Sequence, residues 1–388
     1  MKGVLSAALA LCGAGFVAGL VGSVGACGST GSGSDADAGS NDGSTDTGRD
    51  AGDGGPSDGG KGDGGSCSGG GDTPVASTVK TTPAGESPWA IAIDETSIYW
   101  TVLGKCGGDA GAATGLIVKM PLAGGSLSTL ATGQGKPAAI AVDSKSVYWV
   151  NQCAEDGRVM KADLAGTMTT MLASGQDTPN NIAIDADNVY FTTATAVASV
   201  PLAGVGDGGT AHTIASGQGP SAGIAVQGSK VYWVQASSPF NVNSASTSGG
   251  TITNLTPTNP CGAMCEGVGG LTADSKNVYW SFKPFDSYPT YSISSVPLAG
   301  GMSTELAGDQ GDVTNLASDG TSLYWTVYAG TCGVDGLEVE KLTLACTGSE
   351  SVVIASSQAQ PRGIAVNGTS VYWANSGSPG AIRKATPK

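Results

Sequence analysis

The chain has very little of what most catalytic and nucleic-acid-binding proteins use. It contains a single histidine, His212, among 388 residues, and charged residues make up only 13% of them. Its 18 Lys and Arg are outnumbered by 32 Asp and Glu, so the formal net charge is −14. Nucleic acids and anionic membrane surfaces are bound through basic patches. The charge balance therefore argues against both kinds of partner.

Signatures of catalysis are also scarce. No Gly-x-Ser-x-Gly elbow, P-loop or dinucleotide-binding fingerprint stands at a strand–helix junction, and no helical pattern is evident. His212 falls on a predicted outer strand, where we expect it to be an exposed edge residue. A zinc site at Cys261 and Cys265 would lack two further ligands at suitable spacing. We therefore expect no catalytic residue, no metal and no cofactor.

What the chain does have is one motif in seven copies. Ala139–Trp149, with the sequence A-I-A-V-D-S-K-S-V-Y-W, predicts two short strands around a polar turn that opens with Asp143. Successive copies place their aromatic pairs 42 to 49 residues apart. The other copies are Ile91–Trp100, Ile182–Phe191, Ile224–Trp233, Leu271–Trp280, Leu316–Trp325 and Ile364–Trp373. This period, with several short strands per unit, is typical of a β-propeller.

Each unit is predicted to form four antiparallel strands, A to D, with a glycine-rich turn between strands C and D. Adjacent Tyr and Trp residues on strand B point to opposite faces of the sheet. Both rings can be buried only where both faces pack on neighbouring sheets, as in a propeller. The last unit stops after its third strand, whereas Ala76–Thr82 precedes the first unit without strands of its own. The expected fold is all-β, a seven-bladed β-propeller closed by this N-terminal D strand, which removes two exposed edges.

The first 72 residues are predicted to be an export signal and a tether. Lys2 followed by the apolar run Val4–Val21 is typical of a signal peptide. It ends at Val24-Gly25-Ala26-Cys27, which resembles a bacterial lipobox and implies cleavage after residue 26 and lipidation of Cys27. An ordinary signal peptide with a chance cysteine is the alternative. We assign 1–26 to a lipoprotein signal peptide, 27–72 to a disordered Gly/Ser/Asp-rich tether and 73–388 to the propeller.

Export permits disulfide bonds. Cys106 and Cys153 fall in the B–C loops of adjacent predicted blades and are the expected pair, whereas Cys261 and Cys265 share one loop and could pair locally. Cys67 and Cys346 could join the two ends of the ring, which leaves Cys332 without an assigned partner.

The repeats resemble the YWTD-repeat β-propellers of the LDL-receptor type and related bacterial propeller lipoproteins. The resemblance covers about Ala76–Lys388 and rests on Asp94, on Tyr99-Trp100-Thr101 and their copies, and on the Leu-Ala-Gly-Gly turn. It implies the propeller fold. It carries over no ligand or catalytic residue, because the motif's final Asp is not kept and YWTD propellers usually have six blades.

The loops between strands D and A and between B and C emerge on one face, where we predict a ligand-binding site. The residue two before each A strand should line the axial opening there. These residues are Trp89, Ala138, Asn180, Ala222, Gly269, Thr314 and Arg362. Trp89 and Arg362 lie in neighbouring units of a closed ring and could stack. Phe285, Tyr288 and Tyr291 add aromatic groups from a loop on the same face. The alternative is that Trp89 merely plugs the channel and Arg362 caps a loop.

The leading functional hypothesis is a lipid-anchored binding or scaffold module of the cell envelope, bound to the outer membrane. Its partner would be a protein, peptide or glycan, its only contact with the membrane would be the lipid anchor, and it is expected to be a monomer. A propeller hydrolase or lyase with a carboxylate- or metal-based axial site is one alternative, and a purely structural envelope protein is another.

Overall fold

The computed structural model describes residues 74–83, 85–107, 112–154, 157–205, 210–257, 265–284, 290–328, 337–345 and 350–388. These residues contain 28 β-strands and no α-helix. In the same ranges, no helix is long and apolar enough to cross a membrane. The predicted signal peptide, Cys27 and the predicted tether lie outside the described residues.

Every blade consists of four strands in antiparallel order. Blade one is β2 (Pro88–Ile93), β3 (Ser97–Val102), β4 (Gly115–Pro121) and β5 (Ser128–Gln134). Blade two is β6 (Pro137–Val142), β7 (Ser146–Asn151), β8 (Gly157–Asp163) and β9 (Thr169–Gln176). Blade three is β10 (Ile182–Ile184), β11 (Asn188–Thr192), β12 (Ala196–Pro201) and β13 (His212–Ser216). Blade four is β14 (Ser221–Gln227), β15 (Lys230–Gln235), β16 (Val242–Ser246) and β17 (Thr253–Asn254).

The remaining three blades follow the same order. Blade five is β18 (Cys265–Ala273), β19 (Asn277–Pro284), β20 (Tyr291–Pro297) and β21 (Thr304–Gln310). Blade six is β22 (Val313–Ser318), β23 (Ser322–Val327), β24 (Glu338–Thr343) and β25 (Val352–Ala355). Blade seven is β26 (Pro361–Val366), β27 (Val371–Asn375), β28 (Ala381–Thr386) and, from the other end of the chain, β1 (Val75–Thr81).

The N-terminal strand closes the ring, as the sequence predicts. β1 pairs antiparallel with β28, and the register runs from Val75 opposite Thr386 to Thr81 opposite Ala381. The observed strand begins and ends one residue earlier than the predicted Ala76–Thr82. The prediction of an all-β, seven-bladed propeller, whose last blade combines strands from both ends of the chain, is therefore confirmed.

The core consists of seven clusters, one between each pair of neighbouring blades, and it explains the Tyr-Trp repeat. Tyr99 of blade one shares a cluster with Trp149 of blade two, and Tyr148 of blade two shares the next with Phe191 of blade three. Each tyrosine thus packs towards the following blade and each tryptophan towards the preceding one. Both rings are buried because the sheet is covered on both faces.

A glutamine near the end of strand D ties four tryptophans to the preceding blade. Gln134 Oε1 accepts a hydrogen bond of 2.9 Å from the indole nitrogen of Trp149. The equivalent pairs are Gln218 with Trp233, Gln310 with Trp325 and Gln358 with Trp373. The preceding residue has a positive φ in each case: Gly133, Gly217, Asp309 and Ser357. Our sequence analysis missed this repeat, although Gln stands 15 residues before the Trp in all four units.

The aspartate after strand A has two partners. Asp143 Oδ1 accepts hydrogen bonds from the backbone amides of Lys145 and Ser146, both 2.7 Å, and so stabilises the A–B turn as predicted. Asp143 Oδ2 accepts from the Tyr148 hydroxyl at 2.9 Å. Burial, followed by this bond to Asp143, raises the pKa of Tyr148 to about 12. The aspartate therefore anchors the buried tyrosine ring in addition to the turn.

Candidate functional site at the channel mouth

The first residues of the A strands line an axial cavity of about 280 Å³. Six of the seven predicted positions lie along it: Trp89, Ala138, Asn180, Ala222, Thr314 and Arg362. Asn181 and Asn315, each one position further along, also line the cavity and were not predicted. Isoleucine and leucine residues from six blades also line it: Ile91, Ile140, Ile182, Ile224, Leu271 and Ile364.

Irregular strand pairing at the mouth allows consecutive residues to reach the cavity. The A–B register shifts between Pro88 and Ile91 in blade one and between Pro361 and Ile364 in blade seven. Such bulges redirect side chains at the rims of closed sheets. A hydroxyl from strand B satisfies a backbone donor that the bulge leaves free, as Thr101 Oγ1 accepts from the Ala90 amide at 3.1 Å.

Arg362 lies between two aromatic rings. Its guanidinium carbon is 4.4 Å from the ring centre of Trp89 in blade one and 3.7 Å from that of Tyr328 in blade six. Both distances are within the range of cation–π interactions. The structure thus brings Trp89 and Arg362 together, and it adds Tyr328, which our sequence analysis did not consider.

Arg362 carries its charge in a partly desolvated place. Burial lowers the pKa of Arg362, while its interaction with Tyr328 opposes that effect. Arginine remains protonated in proteins, so the group stays a cation. No described residue accepts a hydrogen bond from the buried Arg362 Nε. Among the described residues that line the cavity, Arg362 is the only one with an ionisable side chain.

The backbone at the mouth is held by the neighbouring blade. The carbonyl of Arg362 accepts a 2.7 Å hydrogen bond from Thr326 Oγ1, whose oxygen also lies 2.9 Å from Thr314 Oγ1. Blade six therefore fixes both the side chain and the backbone of Arg362, through Tyr328 and Thr326 respectively.

The position of Tyr328 relative to the tryptophan of strand B explains why its side chain reaches Arg362. Tyr328 is the third residue after Trp325, and Gln152 is the third residue after Trp149. Gln152 Nε2 donates a 3.1 Å hydrogen bond to Asn180 Oδ1, the axial residue of the next blade. The third residue after the strand-B tryptophan thus contacts the following axial residue in both places. Counting from each Tyr-Trp pair would have found this signal in the sequence.

The other predicted ligand-binding residues are placed differently. A Cβ on Gly269 would lie 2.0 Å from the carbonyl oxygen of Val313, so this glycine permits close packing of blades five and six. Tyr291 is half-buried and packs against the core cluster between the same two blades. Phe285 and Tyr288 lie outside the described residues.

Cys106 and Cys153 form a disulfide bond between the B–C loops of blades one and two, with their Cα atoms 5.8 Å apart. Cys153 follows Gln152, so the bridge lies beside a residue that holds the channel-lining Asn180. Cys67, Cys261, Cys332 and Cys346 lie outside the described residues, and the side chain of Cys265 is not described either. His212 is exposed on β13, and one of its ring nitrogens lies 3.2 Å from the carbonyl oxygen of Ser248.

No family model and no curated protein match the sequence. Among solved structures, the WD40 β-propeller domain of Doa1 is similar with a TM-score of 0.59 at 11% identity, over 81% of this chain and 98% of that one. An oligogalacturonate lyase from Vibrio parahaemolyticus gives a TM-score of 0.55 at 11% identity, over 81% and 97% of the two chains. A chain of the nidogen/laminin complex gives only 0.39 at 18% identity, over 67% and 77%. At these identities the similarity shows that the chain has a β-propeller fold and nothing finer.

Proposed function

We propose that this protein is a lipid-anchored binding module of the cell envelope whose ligand docks at the mouth of the propeller channel. In this proposal Cys27 carries the lipid, the outer membrane is the site of anchoring, and the Gly/Ser/Asp-rich segment holds the ring away from the membrane. The relationship to the YWTD-repeat propellers belongs to the same proposal and is supported by the seven aromatic repeats.

The observation that carries the proposal is the sandwich of Arg362 between Trp89 and Tyr328. A guanidinium cation that is half-buried without a carboxylate among the described residues costs desolvation free energy. If this position only stabilised the fold, an apolar side chain would do so without that desolvation free energy. Stacking on two rings holds the donor in one orientation, which lowers the entropic cost of binding a ligand.

The alternative enzyme function is less well supported. A carboxylate- or metal-based axial site needs acidic side chains at the channel, and the lining side chains that the structure describes are apolar, amide, hydroxyl or guanidinium groups. Within the described ranges, no group of three or more His, Cys, Asp or Glu residues could hold a metal ion. The purely structural alternative predicts no ligand at all, so a binding experiment distinguishes it.

The channel is tested by capture of ligands from envelope extracts. We expect wild-type protein to retain a partner that the double variant Trp89→Ala and Arg362→Ala loses, with at least a tenfold reduction in recovery, because hot-spot side chains of this kind dominate binding. Lys230→Ala removes an exposed cation at the start of β15, away from the channel mouth, and serves as the control. Equal recovery by a folded double variant would place the binding site elsewhere.

The anchor is tested by fractionation of cells. Cys27→Ser removes the thiol to which the lipobox reaction attaches the lipid, so the variant should move from the membrane fraction to the soluble fraction. Stable anchoring requires about two or more acyl chains, which a bacterial lipoprotein carries on this cysteine. Cys12→Ser, a change of the same type within the predicted signal peptide, should leave the protein on the membrane. Continued sedimentation of Cys27→Ser with membranes would disprove the anchor.

A further inference from the structure

We propose that the channel mouth selects a single carboxylate group on a small hydrophilic ligand, which Arg362 binds. This inference rests on the proposed function, since it names the ligand class for the same site. It follows from the donors at the mouth, from their charge and from the size of the cavity.

The mouth is rich in hydrogen-bond donors. Asn180 Oδ1 already accepts from Gln152 Nε2, so the Nδ2 group of Asn180 is left as a donor. Arg362 has donors only, and its guanidinium carbon lies 4.4 Å from the ring centre of Trp89 and 3.7 Å from that of Tyr328. Because the N–H groups of a guanidinium point outward in its own plane, an acceptor binds along the edge of the group. A planar acceptor with two oxygens, a carboxylate, matches that edge in a bidentate arrangement.

The charge at the mouth matches one negative charge. Of the lining residues that the structure describes, only Arg362 has an ionisable side chain, whereas the chain as a whole has a net charge of −14. A carboxylate would be neutralised by this cation in a partly desolvated site. A phosphate dianion would keep one uncompensated charge there, which is costly where water is excluded. The site therefore favours a monoanion over a dianion.

The size of the cavity limits the part of the ligand that enters. About 280 Å³ is just below the range of roughly 300–1,000 Å³ that is usual for small-molecule sites. The cavity can hold one sugar or amino-acid unit together with water. A sugar acid and the free C-terminus of a peptide both supply such a carboxylate, and these two sources share the chemistry that Arg362 recognises.

Trp89 provides a direct readout. Of the seven tryptophans, the other six are at most 2% exposed, whereas Trp89 is half-buried beside Arg362. Quenching of fluorescence by acrylamide should therefore report chiefly on Trp89, and Trp89→Phe should remove that signal. Calorimetric titration of the full chain gives the affinity independently of fluorescence.

The probes are glucuronate and N-acetylglycine, each beside its neutral amide, and inorganic phosphate. We expect at least one of the two carboxylates to bind and to protect Trp89 from acrylamide, and the carboxylate that binds identifies the source. Its amide and phosphate should bind about tenfold more weakly or worse. Arg362→Ala should reduce carboxylate affinity by a similar factor. Arg362→Lys should lose less, because it keeps the charge without the fork, and Lys230→Ala should lose nothing.

Three results would overturn the ligand class: phosphate binding as tightly as the carboxylates, amides binding as tightly as their acids, or carboxylate binding that survives Arg362→Ala. Absence of binding by both carboxylates also overturns it. If a partner from envelope extracts still depends on Trp89 and Arg362 in that case, the proposed function stands and only the carboxylate is wrong. If binding of the probes and binding of a partner are both independent of Trp89 and Arg362, the proposed binding site and the proposed ligand class are both wrong.

Discussion

Removal of β1 should abolish cooperative folding of the propeller, whereas removal of everything before β1 should not. We compare a chain that begins at Pro74 with one that begins at Pro83. The first keeps the whole of Val75–Thr81 as the outer strand of blade seven, and the second lacks it. The longer chain should show a single unfolding transition. The shorter one should be insoluble or should lose most of its free energy of unfolding.

The physical reason is that β1 covers the last blade and packs into two core clusters. Ala76 packs against the cluster between blades six and seven, and Val79 against the one between blades seven and one. Without β1, the buried Ile382 of β28 loses its cover. Exposure of one such side chain costs roughly 1.5–3 kcal/mol. The strand edge of β28 would also be left unpaired, which favours aggregation.

A peptide spanning residues 74–83 provides an independent check. If β1 acts by completing the sheet, this peptide added to the shorter chain should restore solubility or the unfolding transition, because an added strand can pair with an open edge. A peptide of the same composition in scrambled order is the control. Identical unfolding midpoints for the two truncated chains would mean that β1 does not hold the ring closed.

The fold was predictable from the sequence because its signal is repeated. Each blade buries an aromatic pair on strand B, so the number of these pairs in the sequence gives the number of blades. The closing strand was also predictable, because a unit that ends after three strands must obtain a fourth one elsewhere. Strand ends were less accurate, since the A strands begin irregularly at the channel, as the register shift at Pro88 shows.

The candidate site was only partly predictable. Trp89 and Arg362 stand out because three of the other five units have Ala or Gly at their position, namely Ala138, Ala222 and Gly269. The contribution of Tyr328 depends on contact between neighbouring blades, so no single repeat reveals it, although its fixed spacing of three residues after Trp325 could have been compared between the repeats. Phe285, Tyr288 and Tyr291 were predicted to bind ligand only because they are aromatic residues in one loop, and Tyr291 packs against the core. Side chains at loop tips lack the periodic constraint that makes strand residues predictable.

The glutamine repeat leads to the second large effect, a change in stability on Gln134→Ala. Gln134 Oε1 accepts from Trp149 Nε1 at 2.9 Å and from Asn151 Nδ2 at 3.0 Å, and all three residues are buried. Truncation leaves two buried donors without an acceptor. An unsatisfied buried donor costs about 1–3 kcal/mol. We therefore expect the free energy of unfolding to fall by roughly 3 kcal/mol in chemical denaturation.

The chain contains a matched control for this change. Gln176 occupies the same place at the end of β9, but the next blade has Phe191 where the others have Trp, and a phenyl ring has no N–H to donate. Gln176 donates to the carbonyl of Ser174, as Gln134 does to that of Thr132. Gln176→Ala should therefore cost less than about 1 kcal/mol. Equal losses for the two substitutions would show that the turn, and not the indole, is what the glutamine stabilises.

A double-mutant cycle separates the indole from the rest of the site. In the Gln134→Ala background, Trp149→Phe removes the orphaned donor, so this substitution should cost less free energy of unfolding there than in the wild type, and the difference measures the coupling.

Blade one is a natural case in which the tryptophan has no such glutamine. There the strand before the repeat is β1, which carries no glutamine, and Trp100 Nε1 is buried without a partner among the described residues. The junction between blades seven and one therefore lacks a bond that four other junctions have. If this bond is worth what the cycle measures, the junction between blades seven and one should open more readily than the junction between blades one and two, and hydrogen exchange in β1 and β2 should be faster than in β6 and β7.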